Sequence, residues 1–446
     1  MFRSVGHTCT LLNGEAVADQ PVPAKTFERL TADNAARDVG DAGRDQPTQS
    51  AAVAMGRLRR RDDAEAQRAA TLELFYDLVF VFTITQVSHL LLSNLTWTGA
   101  GQAAIVLLAV WWSWNYTTWA TNELDPETNP VRLVLIALML GSLLMAIAVP
   151  HAFGERGLLF VVAYLAIQVG RHSFLTFVVA TRGSVEREQA GRILAWFLIA
   201  GVFWIAGGLV EGGWRAGLWL VALALDYIAP RIFFPLPGRR RLAAGSWRIA
   251  TGHFTERFGL IVIAAIGETI IQTGATTAGH ELDTATVAAF ISAFTGSAAL
   301  WWLYFVSARD LGERSLDASA SRTGRARDIY TYGHILIVGG IILTAVGDEI
   351  VIAHPLEPLG RAELTTVGAG PMLFLLAQFA LQLRATRRVG YVRLVATAAC
   401  ATLGLFGVAL PALLIGTALV AVLIAVALSD QLAPGEIGSP MSWSGR

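Results

Sequence analysis

Charge is what this 446-residue chain has least of: 15% of its residues are Asp, Glu, Lys or Arg, and the formal net charge is zero. No chain-wide basic or acidic field is there to recruit nucleic acid or an anionic substrate, so only the placement of charge along the sequence is informative. Cysteine is nearly absent. Cys9 and Cys400 stand far apart, which excludes a disulfide framework and a cysteine metal site. H-E-x-x-H, paired Cys/His, G-x-x-x-x-G-K-[ST] and G-x-S-x-G are all missing. Metal binding, ATP-driven transport and serine hydrolysis therefore lack a sequence basis, and no enzymatic activity, metal or cofactor is expected.

Apolar sequence fills the space that charge leaves. Hydrophobic residues make up 54% of the chain, mean hydropathy is +0.52, and long apolar runs repeat from about residue 71 to the C-terminus. An all-α, polytopic transmembrane bundle is the expected fold, with the lipid bilayer as its surroundings. A helix needs roughly 20 apolar residues to cross the hydrocarbon core, which yields about twelve candidate spans. They are 72–95, 99–121, 130–151, 157–181, 190–210, 214–235, 254–277, 284–308, 329–353, 363–384, 390–409 and 411–429, the last two divided only at Pro411.

Arginine-rich stretches at 57–61, 182–192, 231–248, 309–327 and 384–393 fall on one side of this scheme, and the opposite loops carry little positive charge. Positive residues collect in short cytoplasmic loops, so both termini are expected in the cytoplasm of a multi-pass cell-membrane protein. Residues 1–70 read as a disordered extension, with Met55 an alternative start, and 236–253 and 431–446 read as a basic linker and a short tail.

The apolar part resembles itself. "AVWWSWNY" (109–116) recurs as "ALWWLYFV" (299–306), and "ELFYDLVFVFTITQVSH" (73–89) aligns with "ERFGLIVIAAIGETIIQ" (256–272). Two six-helix halves, 71–235 and 254–430, are the expectation, related by an axis along the membrane normal as in many transporters.

Polar groups inside such helices need partners, because the hydrocarbon core offers no water. Glu73 reads as a solvated charge at a helix start, with Asp77 one turn further in. His89 lies roughly 18 Å from Asp77 along the same helix. Glu268 is deep within its segment, with Gln272 one turn on and Arg257 three turns back. Asp77 and Glu268 are the candidate proton or ion sites. Arg171, His172, Asp226 and His334 share the cytoplasmic half, and an inward cluster of Asp77, Arg171 and Asp226 with the two histidines nearby is expected. Asp348, Glu349 and His354 read as solvated charges ending the ninth span.

"ELFYDLVFVFTITQVSHLL", "HFTERFGLIVIAAIGETII" and "YTYGHILIVGGIILTAVGDE" together resemble the signature segments of the bacterial low-temperature-requirement A family, from about residue 57 to 430. The resemblance implies a multi-spanning membrane protein needed for growth in the cold, and names a phenotype without a reaction. It marks Glu73, Phe75, Asp77, Gln86, His89, Glu256, Arg257, Glu268 and His334. Duplicated halves with buried ionisable groups point to a secondary carrier or ion-coupled permease for protons or a small solute. A non-transporting scaffold or sensor of envelope cold adaptation is the alternative. A carrier is expected to have a cavity reaching Asp77 or Glu268; a scaffold is expected to bury them in direct contacts.

Overall fold

Among the described residues, twelve principal helices succeed one another: α1 (Thr71–Leu92), α2 (Trp97–Thr121), α3 (Asn129–Ala148), α4 (Gly157–Phe174), α5 (Val185–Leu209), α6 (Gly212–Ile228), α7 (Thr251–Ala278), α8 (Thr284–Trp302), α9 (His334–Ala353), α10 (Arg361–Thr386), α11 (Tyr391–Phe406) and α12 (Ala412–Leu432). The computed structural model describes residues 69–238, 251–308, 322–387 and 389–432, and no strand occurs among them. The expected terminal extensions, the alternative start at Met55 and most of the basic linker lie outside the described residues.

Helix boundaries follow local chemistry. Thr96, Ser184 and Asp283 cap α2, α5 and α8, each side chain accepting a hydrogen bond from a backbone N–H of the first turn. Ser184 therefore starts the fifth helix several residues before the apolar run begins. The sixth stops at Ile228, short of the expected residue 235: Pro230 prevents continuation, and Phe233 and Phe234 adopt positive φ values of 59° and 49°. The expected spans 390–409 and 411–429 are two helices, separated by Gly407–Leu410 and Pro411. One-residue insertions widen three turns into π-helix: Leu175–Val179 after α4, Leu303–Ala308 after α8 and Arg327–Gly333 before α9.

Among the described residues, nine helices are long and apolar enough to cross a membrane, three fewer than the twelve spans expected. The difference lies in α2, α6 and α11. The second is 25 residues long, but its Trp, Tyr, Asn and Thr content lowers its hydropathy; α6 and α11 have 17 and 16 residues. Outward faces are apolar where a soluble protein would be charged, as at Leu133 and Leu140 of α3 and Val202 and Leu209 of α5.

Packing has a regular order. Helix α1 lies against α2 and α3, α3 against α4, α4 against α5, α5 against α6, and α2 against α6. Likewise α7 lies against α8 and α9, α9 against α10, α10 against α11, α11 against α12, and α8 against α12. The two sets meet where α1 and α2 pack on α7 and α9. Small residues permit the closest crossings: a Cβ on Gly368 of α10 would fall 2.5 Å from the Gly404 Cα of α11.

Candidate functional site

The interface of α1 and α7 contains the residues that looked out of place in the sequence. The helices run parallel, since successive levels of α1 meet successive levels of α7: Glu73 meets His253 and Arg257, Asp77 meets Arg257, Thr85 meets Glu268, and His89 meets Gln272. Glu73-x-x-x-Asp77 and His253-x-x-x-Arg257 each place two groups one turn apart on a single helix face. Parallel packing brings the two faces together.

At the first level Asp77 Oδ1 accepts hydrogen bonds from Arg257 Nη2 (2.7 Å) and Trp114 Nε1 (2.8 Å). Glu73 lies 3.0 Å from His253 Nε2 and 3.4 Å from Arg257 Nη1. Glu73, His253 and Arg257 have no exposed surface. This corrects the expectation of Glu73 as a solvated helix-start charge: α7 covers it, and it also accepts the Ala70 N–H at 2.8 Å. Two carboxyls, an imidazole and a guanidinium are thus held within one enclosed group, where charge needs close partners because water is excluded. Among the described residues, Asp77 Oδ2 and Arg257 Nε have no hydrogen-bond partner.

Deeper along the seam, Glu268 Oε1 accepts from the Thr85 hydroxyl at 2.6 Å, and Gln272 is its second side-chain partner. Among the described residues no arginine pairs with it. The amide of Gln272 continues to the exposed ring of His89, at 3.4 Å. Glu268 is 2% exposed, so a carboxyl and its neutral partners are enclosed between the two helices.

The expected cluster of Asp77, Arg171 and Asp226 does not form. Arg257, supplied by the helix packed directly on α1, takes Asp77 instead. Arg171 donates to the Ser113 carbonyl (3.2 Å), the Thr117 hydroxyl (2.9 Å) and Gln168, and its guanidinium lies 5.5 Å from the centre of the Tyr116 ring. Asp226 accepts from the Tyr164 hydroxyl (2.8 Å) and Trp204 (3.0 Å). Arg171 and Asp226 are nevertheless connected, because Gln168 bridges to Tyr164 at 3.1 Å. Nor does His334 join Asp77: its nitrogens meet the Tyr304 hydroxyl (2.9 Å) and the Ile329 carbonyl (3.0 Å). His172 turns its Nδ1 to the Gln168 carbonyl.

Of the charges expected to end the ninth span, only His354 is solvated, 3.9 Å from Glu357. Asp348 and Glu349 are half-buried inside α9, and Asp348 Oδ2 has no hydrogen-bond partner. A cavity of about 430 Å³ opens elsewhere, between α2, the π-turn after α4, α5, the end of α6 and the π-turn before α9. Neither Asp77 nor Glu268 lines it, so this cavity is not the one expected of a carrier.

Residues 68–428 match the family described as Bacterial low temperature requirement A protein (LtrA). The chain belongs to that family. An uncharacterized protein of Rhizobium meliloti (strain 1021) is 39% identical over 319 residues, covering 71% of this chain and 77% of the relative. No solved structure matches. Membership of the LtrA family and the nine apolar helices make this an integral membrane protein. The LtrA match opens just before α1 and includes both seam helices. Of the residues that the family resemblance marks, Glu73, Asp77, Arg257 and Glu268 converge on the seam, and His89 reaches its far end. Glu256 is half-buried and accepts the Ala69 N–H at 2.8 Å; Gln86 is also half-buried, while Phe75 is 55% exposed.

Sequence reasoning missed His253, Trp114, Tyr164 and Thr85. His253 was assigned to the linker, although its spacing of four from Arg257 repeats that of Glu73 and Asp77. Trp114 carried no signal of its own, since tryptophans also occur as interfacial anchors.

Proposed function

We propose that this LtrA-family protein is a secondary carrier coupled to a proton or another cation, with the α1–α7 seam as the coupling element. The observation that carries the reading is the enclosure of four ionisable side chains on one seam, with Glu73 and Asp77 both beside Arg257 and His253 beside Glu73. Glu268 lies on the same seam with neutral partners. Intramembrane carboxyls in such settings bind and release protons in pumps and transporters.

Duplicated six-helix halves, α1–α6 and α7–α12, supply the two bodies that would rock in such a cycle. Six helix pairs correspond position by position between the halves. The alignment of 73–89 with 256–272 equates Thr85 with Glu268 and His89 with Gln272, and these are the residues that touch. A two-fold axis running through the seam demands this of residues lying on it. On this reading α2, α6 and α11 also cross the bilayer, tilted or sheltered by neighbours, and both termini are cytoplasmic.

The rival reading is a non-transporting scaffold or sensor in the envelope's response to cold. Direct contacts of Asp77 with Arg257 and Trp114 favour it, as does a cavity that avoids the seam. Internal pH of proteoliposomes under an imposed membrane potential separates the two. Potential-driven proton flux that disappears in Glu268→Gln or Asp77→Asn, with folding retained, is the expected result. Absence of proton flux at every potential in the natural sequence rejects proton coupling, and absence of potential-driven sodium or potassium flux as well leaves the rival.

A further inference from the structure

The cavity beside α2 contains polar groups that the protein itself leaves unused. Asn115 is 1% exposed; its Oδ1 accepts from Thr331, and its Nδ2 has no hydrogen-bond partner among the described residues. Gln189 is 5% exposed and its whole amide is unpartnered, with Nε2 fully enclosed. The Tyr116 hydroxyl likewise has no partner. His172 is 2% exposed; its Nδ1 lies 3.0 Å from the Gln168 carbonyl and 3.5 Å from Arg171 Nη2, and its Nε2, on the opposite edge of the ring, has no hydrogen-bond partner among the described residues. All four residues line the cavity. Buried amides and rings are normally satisfied, so four unused groups around one void are those of a binding site awaiting an occupant.

Their chemistry defines the occupant. Tryptophans Trp112 and Trp119 and phenylalanines Phe233 and Phe234 add flat apolar walls. Charges of both signs line the cavity: Arg327, Glu123 and the exposed Glu186. Arg327 is already committed, donating to the Pro230 carbonyl at 2.6 Å and lying 5.5 Å from the Phe233 ring centre. No single sign of charge dominates, so neither an anion nor a cation is selected.

We propose that this cavity binds an uncharged, planar heteroaromatic molecule bearing hydrogen-bond donors and acceptors on its edge. Side-chain amides read such edges with paired bonds, and aromatic walls stack on their faces. A volume of about 430 Å³ suits a ligand of that size. The site stands apart from the seam, and its occupancy does not depend on whether the protein transports.

Calorimetric titration of the full chain in detergent micelles with adenine, cytosine and nicotinamide tests the proposal, with benzoate as the charged comparator. Saturable binding of at least one neutral ring is expected, with benzoate weaker by about tenfold or more. Gln189→Leu is expected to weaken that binding by about tenfold without lowering the melting temperature, because the protein loses no hydrogen bond. Gln189→Met serves if the leucine variant fails to fold. Three results each overturn the proposal: benzoate binding as tightly as the best neutral ring, an unchanged affinity in both Gln189 variants, or no saturable heat from any neutral ring.

Discussion

Two buried arginines in this protein face carboxylates in opposite arrangements. Between α11 and α12, Arg393 and Asp430 form a bidentate pair at 2.7 and 3.1 Å, both side chains 4% exposed, with Gln378 and Gln382 accepting two further guanidinium hydrogens at 3.4 Å. One positive charge meets one negative charge. On the α1–α7 seam a single Arg257 faces both Glu73 and Asp77, and Asp77 Oδ2 keeps an unused lone pair. The balanced pair fastens its helices. On the proposed reading the seam group, with two carboxyls and a histidine around one guanidinium, is where a proton arrives and leaves.

Substitutions that remove charge test this difference most severely. Arg257→Met and Arg393→Met each strand a buried carboxylate and are expected to lower unfolding free energy by about 3–5 kcal/mol. Second substitutions separate the sites. Arg393→Met with Asp430→Leu is expected to return stability to the natural level or exceed it by about 1–4 kcal/mol, because an apolar pair costs no desolvation. Arg257→Met with Asp77→Leu is expected to remain destabilised, since Glu73 stays buried after losing its contact with the Arg257 guanidinium. Denaturant unfolding in detergent micelles measures all four variants. Equal recovery by both double variants would remove the distinction between the regions.

Next in size is a change at the crossing of α10 and α11, at the opposite end of α11 from the balanced pair. Leucine at Gly368 would drive its side chain into Gly404, and Gly368→Leu is expected to cost about 1–3 kcal/mol. If the pair serves only to hold α11, the same variant should loosen Arg393 and raise hydrogen exchange along α11. Protection of α1 should be unaffected.

Glu268→Gln is milder. The amide keeps the size of the carboxyl and can still accept from Thr85, so a stability change below about 1 kcal/mol is expected. Function and stability should then part company at this position: proton flux disappears while the melting temperature is kept. Loss of both together would place Glu268 with Arg393 among the groups that fasten helices.

What could be read from the sequence follows the same division. Long apolar runs identified the helices, and the isolation of Asp77 and Glu268 among apolar neighbours marked them as inward-facing, because lipid cannot solvate a carboxyl. Partner identity was not legible. Arg171 and Arg257 were both available to Asp77, and only the packing of α7 on α1 decides between them. The spacing shared by Glu73/Asp77 and His253/Arg257 was visible, but it has meaning only once the two helices are known to run parallel. The cavity was further out of reach: Asn115, His172, Gln189 and Arg327 come from four separate parts of the chain.

Asp283 provides the solvated contrast to these enclosed carboxyls, and the smallest expected effect. It caps α8, and the Thr286 backbone N–H, donating to Oδ1 at 2.7 Å, followed by the Thr286 hydroxyl, holds its carboxyl below the usual aspartate value. A carboxyl whose folded pKa is lowered stabilises the fold above its unfolded pKa, about 3.9, and loses that contribution as pH falls through the folded value. The melting temperature of Asp283→Ala should therefore lie below that of the natural protein near neutrality, and the gap should narrow in acid. Asp283→Asn keeps a capping oxygen without a titrating proton, so its melting temperature should fall less than that of the alanine variant. If the alanine gap instead widened toward acid, the charged cap would not be the stabilising species. The contrast with the seam would then fail at its simplest member, where water and one helix end are the only influences on the carboxyl.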